Sequence, residues 1–258
     1  MIGAIAGDII GSIYEHRPVK TKEFPFFAAG CRFTDDTVLT VAVADAILSG
    51  REYAEALHDF GHRHPRAGYG GAFLEWLHAR ERAPYGSWGN GSAMRVSPVG
   101  WAFDSEDEVL EHARLSAEVT HDHPEGIKGA QAVALGVFLA RTGSSREGIR
   151  GRIVDLCGYD LDASVEEIRP DYAFDVSCQG SVPQALVCFL DSDSWEDAVR
   201  NAVSLGGDSD TLACMAGAVA EAFYGGVPAS VRRTALRFLP HDLAAVVEDF
   251  RQIFIPDS

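Results

Sequence analysis

Long apolar runs, paired cysteines and an excess of basic charge are all missing from this chain, and each absence removes a class of function. No apolar stretch reaches the roughly 20 residues that a membrane-spanning helix needs. Met1–Tyr14 is apolar and small, but it lacks a basic n-region and carries Asp8, so no secretory leader is expected. The cysteines number five (Cys31, Cys157, Cys178, Cys188 and Cys214) and form no C-x-x-C pair. An odd, unpaired set reads as reduced thiols in a cytoplasmic protein, not as a disulfide framework or a zinc ribbon. Lys and Arg total 22 against 38 Asp and Glu, a formal charge of −16. That balance argues against a nucleic-acid phosphate backbone or an anionic membrane as partner, since both are met by basic patches.

What is present is globular: 258 residues, 47% hydrophobic and 23% charged, ample for a buried core. Alternation of strand length is scarce, and helical spacing dominates. Val38–Leu48 is apolar nearly all round, as a buried helix is. Ser105 and Glu108 have the spacing of a capping box opening Asp107–Val119. Pro124–Arg141 is a long Ala/Val/Leu run, Ser145 can cap Arg146–Cys157, and Ser194 can cap Trp195–Leu205. Pro183 is expected in a first helical turn leading Gln184–Leu190. Leu243, Val246, Val247, Phe250 and Phe254 lie on one face of a last helix. The loops 65–71 and 84–91 are dense in Gly, Pro and aromatics, and 159–180 shows no clear period. About ten or more helices and little or no sheet are expected, in one compact all-α bundle over residues 1–258.

Two acidic clusters, Thr34-Asp35-Asp36-Thr37 and Asp208-Ser209-Asp210-Thr211, each precede a nearly all-apolar helix. One Asp at a helix start is an ordinary N-cap in favourable contact with the dipole. Four carboxylates beside two buried helices exceed what capping needs, so they must take up protons or be offset by cations. Oxygen ligands alone, from Asp and Thr, favour Mg²⁺ or Mn²⁺ over zinc. The great sequence distance between the clusters says nothing about whether they meet.

Gly3, Gly7 and Gly11 recur every fourth residue and leave one helix face bare, a pattern that serves close helix packing. On spacing alone, Glu15 at the end of this stretch reads as a solvated residue. Gly89-Asn90-Gly91-Ser92-Ala93-Met94-Arg95 fits either a plain Asn-Gly turn or an amide nest for an anion. Thr120-His121-Asp122-His123 offers two histidines, too few for a structural zinc site.

In order, Gly3-Ala4-Ile5-Ala6-Gly7-Asp8 through Glu15, the Thr34–Thr37 cluster, Gly89–Arg95, Thr120-His121, Ser181-Val182-Pro183 with Ala185-Leu186, and Gly206-Gly207 leading into Asp208–Thr211 span almost the whole chain. Together they resemble the ADP-ribosylglycohydrolase family, which includes the dinitrogenase reductase-activating glycohydrolases. The resemblance implies an all-α orthogonal bundle with a dinuclear Mg²⁺ centre, Mn²⁺ being an alternative. It implies that Thr34, Asp35 and Asp36 hold one metal, Asp208 and Thr211 the other, with Asp210 between them. It makes Glu15 the carboxylate that orients or activates water, against the spacing-only reading. It gives Gly89, Asn90, Gly91 and Ser92 the diphosphate, Met94 the cleft wall and His121 a contact to ADP-ribose. Arg95 is left structural, as a buried partner for an acid.

The function implied is Mg²⁺-dependent hydrolysis of the N- or O-glycosidic bond between ADP-ribose and an acceptor, a protein side chain or a small molecule such as O-acetyl-ADP-ribose. Two alternatives stay open: a two-metal phosphoester or pyrophosphate hydrolase, and an inactive ADP-ribose-binding module. No Asp lies between Asp59 and Asp104, so a leaving-group acid from that stretch would be Glu75, Glu81, a histidine or water. Arginine, serine, a nucleic-acid base and an acetyl ester remain possible acceptors. Trp88, Tyr159, Tyr172 and Phe174 are candidates to stack the adenine. The acidic surface and single domain point to a monomer.

Overall fold

A computed structural model describes residues 1–255. Fifteen helices follow one another there: α1 (Ile2–Gly11), α2 (Asp35–Ser49), α3 (Tyr53–Arg63), α4 (Gly71–His78), α5 (Gly91–Met94), α6 (Ser97–Ala102), α7 (Glu106–Glu118), α8 (Pro124–Arg141), α9 (Arg146–Cys157), α10 (Val165–Ile168), α11 (Cys178–Leu190), α12 (Trp195–Ser204), α13 (Ser209–Phe223), α14 (Ala229–Phe238) and α15 (His241–Phe254). Among the described residues there is no β-strand, only an isolated antiparallel bridge between Gly89 and Ser177. No described helix is long and apolar enough to cross a membrane.

The centre of the fold is α13, buried from Ser209 to Ala222, with α1 lying directly on it. The bare glycine face makes that contact. A Cβ on Gly3 would sit 2.4 Å from the Gly217 carbonyl oxygen, on Gly7 2.1 Å from that of Ala213, and on Gly11 2.4 Å from that of Ser209. No side chain fits at those distances, so the two backbones touch and every residue of α1 is buried. The same crossing brings Asp8, in the middle of α1, beside the start of α13.

Helices α8 and α9 begin and end where the sequence places them, and Ser145 caps the latter at Gly148 N, 3.2 Å away. Pro183 does not open a helix. It lies inside α11, which starts five residues earlier behind the Ser177 cap. The missing proline N–H is absorbed within a helix already held by its neighbours, so the first-turn rule misleads here. The capping box also moves. Ser105 accepts from Glu108 N, but Glu108 takes the Ser105 hydroxyl instead of returning to the backbone amide. The complete reciprocal box is at Ser164 and Glu167, opening α10 in the segment without a clear period.

Candidate active site

Helices α2 and α13 both start on one cleft, and the close α1–α13 crossing decides what lies beneath it. Asp8 is fully buried among isoleucines and glycines of α1. Its carboxylate accepts from Thr34 N at 3.0 Å, Thr34 Oγ1 at 2.7 Å, Thr37 N at 3.2 Å and the Thr37 hydroxyl. Four donors on two oxygens make Asp8 the anchor of the α2 N-terminus, which in turn fixes Asp36. The reading of the sequence passed over Asp8 as a site residue. A single acid inside an otherwise apolar helix was the available signal.

The two acidic clusters meet. Carboxylate oxygens of Asp8, Asp36 and Asp210 all lie within 4.8 Å of one another. Thr211 Oγ1 donates to Asp36 Oδ2 at 3.4 Å, and Thr34 Oγ1 reaches the same oxygen at 3.3 Å. Asn90 Nδ2 donates to Asp208 Oδ2 at 2.8 Å, tying the glycine loop to the acids. Asp36 Oδ1 and Asp210 Oδ1 are buried with no hydrogen-bond partner among the described residues. Orphaned carboxylate oxygens in the interior call for a proton or a cation.

Electrostatics point the same way. Burial pushes Asp8 up to about 6, against the pull of the Thr34 and Thr37 hydrogen bonds. Asp35 rises to about 7 through burial and then the Asp8 charge. Asp36 and Asp210 stand well above the usual carboxylate range, first through burial and then through their acidic neighbours. Asp208 is raised by burial despite the Asn90 hydrogen bond. Among the described residues, none of the five aspartates forms an ion pair with Lys, Arg or His. Crowded oxygen donors without a counter-charge fit a hard divalent cation; the residues present suit Mg²⁺ or Mn²⁺ better than a soft metal.

Above the acids opens a cavity of about 380 Å³. Glu15, Thr34, Asp35, Asp36, Asp208, Asp210 and Thr211 form one end, and Gly89, Asn90, Gly91, Met94 and His121 the other. Thus all the proposed ligands and Glu15 share one cleft, and Glu15 is only 23% exposed, not freely solvated. Its charge contributes to the raised carboxyls of Asp35, Asp208 and Asp210.

Ser92 is the exception. Its side chain is fully buried and donates to the Gly126 carbonyl at 2.7 Å, away from the cleft. The Gly89 and Asn90 amides are also taken, by Ser87 Oγ at 3.1 Å and the Val176 carbonyl at 2.7 Å. The loop therefore offers a bare glycine surface rather than a row of free amides at those positions.

Arg95 needs correction. It is wholly buried as expected, but among the described residues no acid pairs with it. Its Nη2 donates to the Ser116 carbonyl at 2.8 Å and to Thr120 Oγ1 at 2.9 Å, while Nε and Nη1 have no hydrogen-bond partner. Glu75 and Glu81 are exposed and do not line the cavity. His123 caps α8, its Nδ1 accepting from Glu125 N at 3.1 Å, which leaves no histidine pair for zinc. Of Trp88, Tyr159, Tyr172 and Phe174, Phe174 alone lines the cavity, 56% exposed at its rim.

A family model described as ADP-ribosylglycohydrolase matches residues 1–256. Similar proteins include ADP-ribosylhydrolase ARH3 of Mus musculus, 30% identical over 95% of this chain and 88% of the relative. ARH3 of Homo sapiens is 30% identical over 87% of this chain and 84% of the relative. ADP-ribosylarginine hydrolase Tri1 of Pseudomonas putida is 26% identical over 87% and 69% of the two chains. A solved chain described as an ADP-ribosylglycohydrolase-related protein complex superposes with a TM-score of 0.73 over 98% of this chain and 96% of its own. At 24% identity that likeness bears on the fold, which is all-α in both.

Proposed function

The chain belongs to the ADP-ribosylglycohydrolase family, and from that premise we propose that it hydrolyses the glycosidic bond joining ADP-ribose to an acceptor, with Mg²⁺ as its cofactor. The observation that carries this reading is the pair of acidic clusters meeting in one cleft, with Asp36 Oδ1 and Asp210 Oδ1 buried and unpartnered. Thr34, Asp35, Asp36, Asp208, Asp210 and Thr211 would hold two ions. Bound there, the ions supply Lewis-acid polarisation and a template for the vicinal hydroxyls of the terminal ribose.

The chain's own groups do the rest. Asp8 holds Thr34 and Thr37, and so sets the direction of Asp36. Asn90 does the same for Asp208. Glu15, on the cleft wall, orients water by accepting one of its hydrogens. Water adds at the anomeric carbon, the bond to the acceptor breaks, and the acceptor leaves with a proton, as in glycoside hydrolysis generally. Gly89 and Gly91 let the diphosphate approach the backbone, Met94 walls the cleft, and His121 contacts the ligand. Residues 1–258 are read as one domain acting as a monomer. Five buried cysteines without a disulfide support a reducing, cytoplasmic compartment.

Isothermal titration of ADP-ribose, with Mg²⁺ and again with EDTA, tests the reading. Binding that needs the metal, followed by ADP-ribose release from modified arginine, serine or O-acetyl-ADP-ribose, is the expected result. Metal-indifferent binding without turnover would make the chain a reader of ADP-ribose. Phosphate release in place of intact ADP-ribose would make it a phosphoesterase.

A further inference from the structure

At the glycine end of the cleft a buried cation leads, through one hydroxyl, to one histidine. Arg95 Nη2 donates to Thr120 Oγ1 at 2.9 Å, and Thr120 Oγ1 lies 2.7 Å from His121 Nδ1. A guanidinium can only donate, so its contact occupies a lone pair of the hydroxyl. The single hydroxyl hydrogen can then be given to His121 Nδ1, 2.7 Å away, which makes that nitrogen the acceptor.

The ring hydrogen of a neutral imidazole then sits on Nε2. That edge of the ring faces the glycine loop: a Cβ built on Gly91 would lie 3.1 Å from His121 Nε2, and one on Gly89 3.7 Å away. His121 lines the cavity, and among the described residues no group takes a hydrogen from its Nε2. Burial and the Arg95 charge hold its pKa well below the usual histidine value, so the ring is uncharged at neutral pH.

We propose that Arg95 and Thr120 are positioning residues that hold His121 as its Nε2–H tautomer, so that the ring donates a hydrogen bond to an anionic oxygen of a diphosphate lying on the glycine loop. Arg95 adds a second effect. Its Nε and Nη1 have no partner and no carboxylate balances its charge, so it places positive potential beneath the loop in a protein of charge −16. The inference rests on the ADP-ribose reading above for the identity of the anion. The tautomer itself does not depend on it.

The test separates the two. Side-chain ¹⁵N spectra of the ligand-free protein, with His121 assigned by its loss in His121→Gln, should show Nδ1 unprotonated and Nε2 protonated at neutral pH. A protonated Nδ1 overturns the proposal whatever the ligand. In titrations of ADP-ribose with Mg²⁺, Thr120→Val should weaken binding about tenfold, the loss of one hydrogen bond to a charged group, and Thr120→Ser should restore it. Wild-type affinity in a folded Thr120→Val also overturns it. If the wild-type protein ignores ADP-ribose, the functional reading fails while the spectra still decide the tautomer.

Discussion

At one end of the cleft Asp8, Asp36 and Asp210 crowd together with no ion pair among the described residues; at the other, Arg95 is buried and forms no ion pair with a described carboxylate. The fold could have paired these charges and did not. Held apart, each end is electrostatically incomplete and waits for a ligand of the opposite sign. Metal ions would complete the first and a diphosphate the second, and ADP-ribose with divalent cations brings both. An ion pair between the two ends would have stabilised the empty protein and removed the reason to bind anything.

The sharpest way to break this contrast is Asp210→Asn. Losing the carboxylate between the two clusters should reduce hydrolysis more than about 100-fold, beyond the usual effect of outer-shell changes at a metal site. The same substitution removes a buried charge that burial and its neighbours disfavour. Melting in EDTA should therefore rise or hold while turnover disappears. Normal turnover and metal binding by this variant would sink the dinuclear reading.

The next effect is structural, since the acid end exists only because two backbones touch. Gly7→Ala places a Cβ 2.1 Å from the Ala213 carbonyl oxygen, with no flexible atom to yield. Overpacking of this kind costs about 1–3 kcal/mol, roughly 2–12 °C in melting temperature for a chain of this size. Separating α1 from α13 also separates Asp8 from Asp210, so metal affinity should fall with stability. A variant as stable as wild type would show that the crossing relaxes freely.

The helical pattern of the sequence was legible wherever a segment carries its own signal. Pro124 to Arg141 and Ser145 to Cys157 state their limits through a first-turn proline and a capping serine. Pro183 misleads because a proline within a helix can be tolerated by packing that no local pattern displays. The acids of Thr34–Asp36 and Asp208–Thr211 were legible as an excess over capping. That they meet was not, because a crossing between α1 and α13 is a long-range fact. Asp8 was hidden for the same reason, as its four donors come from a segment 26 to 29 residues away. The unpaired state of Arg95 depends on what surrounds it in space, and spacing gives no hint of it.

A smaller effect contrasts the acid end with and without its cation. A carboxyl whose folded pKa stands above 3.8 binds its proton more tightly in the folded protein. Its contribution to stability is complete below about 3.8 and is lost as pH rises through the folded value. With Asp8 near 6 and Asp35 near 7, the loss falls between about pH 4 and pH 7. Melting followed in EDTA should drop across that window. Mg²⁺ takes the place of the protons and should lift the melting temperature most at about pH 8. A flat profile in EDTA, or no response to Mg²⁺ at the alkaline end, would mean that the acids are not strained.

The smallest effect expected is none, and it bears on how the acceptor leaves. Glu75 and Glu81 are the carboxylates between Asp59 and Asp104, and both are exposed and away from the cavity. An acid that protonates a leaving group has to reach it directly or through one water. Glu75→Gln and Glu81→Gln should therefore leave kcat and KM within about twofold, for arginine and serine acceptors alike. A tenfold fall in kcat for one acceptor with KM unchanged would bring that glutamate into the reaction through a movement of the segment that carries it. The leaving group would then take its proton from the protein. Unchanged kinetics leave Glu15 as the cleft's glutamate, with the leaving group protonated by water.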